Sequence, residues 1–334
     1  MVLAAPAAEN CEPPTCESTN TCPTSSDVKY GAHLQQELDV YVRTGGGTGR
    51  APVILFVHPG LVEAGENPTS ADRAIPDALR AQRAKGWAIV SVSYRSPPTF
   101  VAPDPVRDIK RAIMYLRANP NKTEFSTLNA SHIVIAGVSG GSLLSGMTGV
   151  TQGVAEYNPT DLSGVAGQSS AVKGMIIFQA PDLAIVANSQ VVPDPVACHG
   201  NPYLNCKING VTATGAGCKQ PTNTGTCTAA QLKRGSPHQF VTTDDPPVYL
   251  AYGTADGLAP PSSGDGLALQ YISKGIGQKV WYDLIENGPH SAQYTGVNLA
   301  AMECFLRETI NPADPCECTT APALEYCKGV VKPQ

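Results

Sequence analysis

The residue best placed for covalent chemistry in this chain is Ser139. It sits in Gly137-Val138-Ser139-Gly140-Gly141, directly after the β-branched run Ile133-Val134-Ile135. Such a run reads as a strand, and the glycines two places before and after the serine permit a strand-to-helix turn too tight for a Cβ. That turn lifts the serine hydroxyl clear of its backbone. It also makes Gly140 the first residue of a helix, with its N–H aimed where an oxyanion would form. With 32 Gly among 334 residues the five-residue pattern is common by itself. The strand before it and the helix after it give it meaning.

A serine hydroxyl becomes a useful nucleophile when a base removes its proton, and the base needs a carboxylate to fix its tautomer and balance its positive charge. Six histidines compete for that part. His33 precedes the sheet, His132 precedes the serine strand, and His199 and His238 lie in a long irregular stretch. His58 ends a strand, but its neighbours Pro59 and Gly60 suit an oxyanion loop better. His290 follows the last predicted strand in a Gly-Pro loop, and it is the expected base. For the carboxylate, Asp244 and Asp245 precede their strand and Asp265 starts a helix. Asp182 and Asp256 both follow strands and both stand between Ser139 and His290, and Asp256, past the strand after the irregular stretch, is the expected acid, with Asp182 as its rival.

These groups can meet only if separate strands deliver them to one edge. Leu34 to Val42 alternates as a half-buried antiparallel strand, while Pro52 to Val57 is a continuous apolar run suited to a strand covered on both faces. A helix is predicted through Ala71 to Lys85, a strand over Trp87 to Ser93 and a helix over Val106 to Ala118. After the serine strand come a helix from Gly140 to about Gly153 and a strand over Val172 to Phe178. The chain ends with a strand into Asp256, a helix from about Gly264 to Lys274, a strand over Lys279 to Leu284 and a helix over about Ser291 to Thr309. This alternation means a mostly parallel, doubly wound sheet, whose ligands bind at the strands' carboxyl ends.

From about 187 to 243 regular patterning fails, and four cysteines appear among many Gly and Pro. The stretch reads as a cap-like insertion covering the site, more a rigid rim than an apolar lid. The organisation expected is thus a disulfide-held segment over 1–28, a main domain over 29–310 carrying the insertion, and a cysteine-bearing tail over 311–334.

Hydrophobic residues make up 42% of the chain and charged ones 15%, with a net charge of −5. That composition describes a packed globule and excludes a disordered chain. With no basic stripe, neither nucleic acid nor an anionic membrane surface is expected as a partner. No apolar run reaches the ~18 residues of a membrane span.

Eleven cysteines and the sequons at Asn121 and Asn129 suggest an oxidised, secreted glycoprotein. Zinc would need thiolates converging with histidine, and Cys198-His199 is the only close pair, so no metal is expected. Short loops favour Cys198 with Cys206 and Cys218 with Cys227. Three further bridges should tie residues 11–22 to 316–327, leaving Cys304 as the free thiol.

On these residues the chain resembles the carboxylesterases of the hormone-sensitive-lipase and feruloyl/acetylxylan-esterase type. The resemblance covers about residues 34–310. It rests on His58-Pro59-Gly60, Ser93-Tyr94-Arg95, the turn at Ser139, and Asp256 with His290; Asp108, Ala112 and Leu116 match the helix before the serine strand. It implies an α/β-hydrolase fold with a disulfide-rich insertion after the sixth strand. It implies ester hydrolysis through an acyl-enzyme, with no cofactor, and the rigid rim without an apolar lid adds an expected preference for short-chain or aromatic acyl groups. The oxyanion donors it implies are the N–H groups of Gly60, Leu61 and Gly140. The chain departs from the family at Pro59, where glycine is usual and no N–H is available. Within the fold the rivals are a feruloyl or acetylxylan esterase and a polyester depolymerase. From another class, the rival is a non-catalytic binding protein. The substrate is a small-molecule or polymer-attached ester, and the oligomeric state is not legible.

Overall fold

The computed structural model describes residues 22–60, 75–189, 191–215, 218–291 and 296–310. Its strands are β1 (Ser25–Lys29), β2 (Glu37–Tyr41), β3 (Ala51–Val57), β4 (Ala88–Val92), β5 (Leu128–Val138), β6 (Gly174–Phe178), β7 (Val248–Gly253) and β8 (Val280–Ile285). They form one sheet in the order β1-β2-β4-β3-β5-β6-β7-β8. β2 runs antiparallel to β1 and β4, and every pair from β4 to β8 is parallel.

The helices are α1 (Asp77–Arg80), α2 (Asp104–Ala118), α3 (Gly140–Val150), α4 (Leu183–Asn188), α5 (Asp194–Leu204), α6 (Ala229–Lys233), α7 (Pro261–Ser273) and α8 (Leu299–Ile310). They cover both faces of the sheet, which is why the central strands are apolar without interruption. In β3, Val53, Leu55 and Val57 face a core that includes Val106, Ile109 and Ile113 of α2 and Leu143, Leu144 and Met147 of α3. Ile54 and Phe56 face the opposite core, with Leu79 of α1 and Met302 and Phe305 of α8. Each large apolar side chain withdrawn from water in this way stabilises the fold by about 1.5–3 kcal/mol. Arg95, just beyond β4, is fixed to α2 by its guanidinium, 2.8 Å from the buried Asp108 carboxylate.

Several sequence expectations need correction. Residues 25–28, read as part of an irregular lead-in, belong to β1; with Val28 its only apolar residue, this edge strand leaves no periodicity to detect. The last helix begins at Leu299 rather than near Ser291. The helix expected through Ala71 to Lys85 is reduced, among described residues, to α1 and a 3-10 turn at Ala81–Lys85. The insertion is helical in α5 and α6, and this decides its disulfides. They pair Cys198 with Cys218 and Cys206 with Cys227. Cys198 lies inside α5 and Cys206 just past its end, so at 1.5 Å per residue the helix holds them roughly 10 Å apart, too far for a bridge. Cys304 is disulfide-bonded, and Cys22 is the free thiol among described residues. The bridges expected for Cys11, Cys16, Cys316, Cys318 and Cys327 lie outside the described residues. No helix among the described residues is long and apolar enough to cross a membrane.

Candidate active site

Ser139 joins β5 to α3 with φ 53° and ψ −120°, a conformation that costs a non-glycine residue about 1–3 kcal/mol. The flanking glycines are required by contact. A Cβ on Gly137 would stand 2.4 Å from the Gly141 carbonyl oxygen, and one on Gly141 would stand 2.2 Å from that of Val57. β6 braces the turn from the other side: the Ser139 N–H donates to the Phe178 carbonyl at 2.9 Å, and the Phe178 N–H donates to the Ser142 hydroxyl at 2.8 Å.

Asp256 and His290 arrive from the ends of β7 and β8. The two loops are locked together where the Ala255 N–H donates to the Gly288 carbonyl at 3.0 Å. Oδ1 of Asp256 accepts the N–H groups of Leu258 and Ala259 at 2.8 and 2.9 Å, which leaves Oδ2 for His290 Nδ1 at 2.8 Å. On the other side of the ring, Nε2 lies 2.9 Å from Ser139 Oγ. The Asp256 side chain is fully buried, while that of His290 is 28% exposed and reachable from the cavity. With Nδ1–H donated to Asp256, neutral imidazole presents its Nε2 lone pair to the Ser139 hydroxyl. That is the state required to accept a proton.

The rival acid is engaged elsewhere. Asp182 accepts from His238 Nδ1 at 2.5 Å and from the N–H groups of Ala184 and Ile185, capping α4. Asp265 packs near Tyr282 and has its carboxyl raised by burial. Asp245 accepts from Thr242. Of the sequence candidates, the structure therefore brings Ser139, Asp256 and His290 together and leaves the other described acids apart.

A cavity of about 520 Å³ opens over Ser139 and His290, and Gly60 and Gly140 line it with them. Leu61, the third expected donor, lies outside the described residues. Pro181, Leu183 and Leu258 make part of its apolar wall, and α5 contributes Pro195, Val196 and His199. The insertion thus contributes part of the cavity wall through α5. Sequence reasoning missed Gln179. This buried residue follows β6, and its side-chain amide donates to the Pro289 carbonyl at 2.8 Å, immediately before His290. A partner 110 positions away leaves no local signal in the sequence.

Residues 38–270 match the BD-FAE family. Esterase LipC of Mycobacterium tuberculosis is 34% identical over 148 residues, 44% of this chain and 35% of LipC. From the same organism, the probable carboxylic ester hydrolase LipM is 27% identical over 292 residues, 84% of this chain and 60% of LipM. The chain thus spans only about a third to three fifths of the length of these curated relatives. A solved structure of a truncated carbohydrate esterase from gut microbiota superposes with a TM-score of 0.66 at 23% identity, covering 86% of this chain and 97% of that one. The shared architecture is the α/β-hydrolase fold.

Proposed function

Because the chain belongs to the BD-FAE family, we propose that it is a serine carboxylic-ester hydrolase with Ser139 as nucleophile. The observation that carries this reading is the continuous hydrogen-bonded line from Asp256 through His290 to Ser139, ending in a cavity. Ser139 Oγ attacks the ester carbonyl as His290 Nε2 takes its proton. The imidazolium formed is balanced by the buried Asp256 carboxylate. The tetrahedral oxyanion is received by backbone N–H groups, those of Gly60, Leu61 and Gly140 being the assigned donors. His290 then protonates the departing alkoxide, and water, deprotonated by the same imidazole, releases the acid from the acyl-enzyme.

The preferred substrates are esters of short or aromatic acids. Two features support this: the apolar wall at Leu183, Val196 and Leu258, and its closure by α5, which the Cys198–Cys218 disulfide anchors. The same disulfides support secretion, and the exposed Asn121 suits glycosylation.

The test combines a fluorophosphonate probe with a panel of p-nitrophenyl esters from acetate to palmitate, methyl ferulate and acetylated xylan. Labelling at Ser139 and turnover that falls with acyl length are expected. A protein that is folded, unlabelled and inert towards every ester would instead be a binding protein on this fold.

A further inference from the structure

The oxyanion side of the site lacks an N–H at Pro59, so its geometry depends on how Gly60 is held. Gly60 has φ 89°, in the left-handed region that glycine tolerates. Its carbonyl accepts a hydrogen bond from the Tyr94 hydroxyl at 2.5 Å, and the same hydroxyl lies 3.4 Å from the His58 carbonyl. The Tyr94 ring also stacks on the His58 imidazole, with centroids 4.6 Å apart and planes 10° from parallel. His58 Nδ1 reaches the Pro59 carbonyl at 2.9 Å. One tyrosine therefore grips the whole of His58-Pro59-Gly60.

Tyr94 is suited to hold a loop because it is itself held. It is only 1% exposed. The Ser93 carbonyl before it accepts from the Tyr30 hydroxyl at 2.6 Å. The Arg95 N–H after it donates to Asp108 Oδ2 at 2.9 Å, and the Arg95 guanidinium binds the same carboxylate. Its own carbonyl accepts from the Ser96 hydroxyl at 3.2 Å.

We propose that Tyr94 is a positioning residue for the oxyanion site, a role that rests on the esterase reading above. A peptide unit is planar, so fixing the direction of its carbonyl fixes the opposed direction of its N–H. Here the Pro59 carbonyl is held by His58 Nδ1, on whose ring Tyr94 stacks, and the Gly60 carbonyl is held by the Tyr94 hydroxyl, so the Gly60 N–H is fixed from both sides beside the cavity that Gly60 lines. Tyr94 touches no substrate. Its effect appears where negative charge gathers on the carbonyl oxygen, in the transition state rather than in the bound ester.

Tyr94→Phe keeps the ring on His58 and removes only the hydroxyl. Losing one oxyanion donor outright costs about 100- to 1,000-fold in kcat, and a misaimed donor should cost about 10- to 100-fold, with KM for p-nitrophenyl acetate within about twofold. A trifluoromethyl ketone, whose hemiketal oxyanion mimics the tetrahedral state, should bind more weakly by a similar factor. Lower thermal stability with unchanged kcat and unchanged ketone affinity would overturn the role. If the phenylalanine variant is not recovered folded, Tyr94→Leu takes its place under the same criteria. A wild-type protein that hydrolyses none of the esters overturns the esterase reading and this role with it. Active wild type beside an equally active variant overturns this role alone.

Discussion

Gln179 and His290 come from different strands, and a single hydrogen bond couples them: the Gln179 side-chain amide donates to the Pro289 carbonyl at 2.8 Å. Gln179 is fully buried with φ 54°, and its N–H donates to the Ala251 carbonyl at 3.0 Å, so its backbone is held between β6 and β7. The His290 loop follows β8, and residues 286–287 are exposed. Gln179 therefore ties that loop to the rigid sheet. Gln179→Leu should lower kcat by about 10-fold through misplacement of Nε2 relative to Ser139, with little change in KM. Steady-state kinetics beside a thermal melt checks this, and unchanged kcat would remove Gln179 from the site.

The two aspartates that follow strands hold different histidines, Asp256 holding His290 and Asp182 holding His238, and substitution should separate their roles. Asp256→Asn keeps the shape but no longer favours the tautomer with hydrogen on Nδ1, so kcat should fall by about four powers of ten. Asp182→Ala removes the α4 cap and leaves His238 without its carboxylate. It should leave kcat within a few fold and lower stability by about 2–4 kcal/mol. Kinetics and chemical denaturation of both variants would expose an exchange of these roles.

What was legible follows from the range of the interactions concerned. The turn at Ser139 is written in five consecutive residues, and Asp256 and His290 are found because each follows a recognisable strand. β3 and α2 announce themselves through buried side chains at fixed spacing. β1 does not, since an edge strand held by its backbone needs only Val28. The disulfide partners were misread because the shortest loop in sequence is not the shortest distance in space once α5 separates Cys198 from Cys206. Gln179 and Tyr94 act on residues 110 and 34 positions away, through hydrogen bonds to main-chain carbonyls that accept from any donor. No residue type at the accepting end marks such contacts.

The insertion's two disulfides enclose overlapping segments of 20 and 21 residues. Chain-entropy arguments give roughly 3 kcal/mol for a bridge of this length, with less for the second because the loops overlap. Their removal should act locally. Replacing Cys198 and Cys218 with serine should expose the stretch between α5 and α6 to limited proteolysis while the parallel sheet stays resistant. It should also blunt the preference for short acyl groups, because α5 supplies Pro195 and Val196 to the cavity. A variant with unchanged proteolysis and an unchanged ester profile would show that helix packing alone holds this wall.

Two titratable groups, the half-buried His132 and the buried Asp245, give the fold opposite responses to acid. Burial, reinforced by the charge of Lys173, lowers His132 to about 4. Between that value and the ordinary histidine range near 6.5, the unfolded chain binds more protons than the folded one. His132 therefore contributes stability that is present at pH 7 and lost as the pH falls towards 4. Asp245 is pushed up to about 6, chiefly by burial, against the lowering effect of its hydrogen bonds from Thr242. Between about 4 and 6 the folded chain binds the extra proton, so this group gains stability as the pH falls. In the wild type the two trends offset one another. Relative to wild type, His132→Gln should be more stable at pH 4 than at pH 7, and Asp245→Asn should be more stable at pH 7 than at pH 4. Each difference should appear as a shift of roughly a few degrees in Tm. Melts of the three proteins at pH 4, 5, 6 and 7 read out both signs, and parallel curves for all three would show that neither group is coupled to folding.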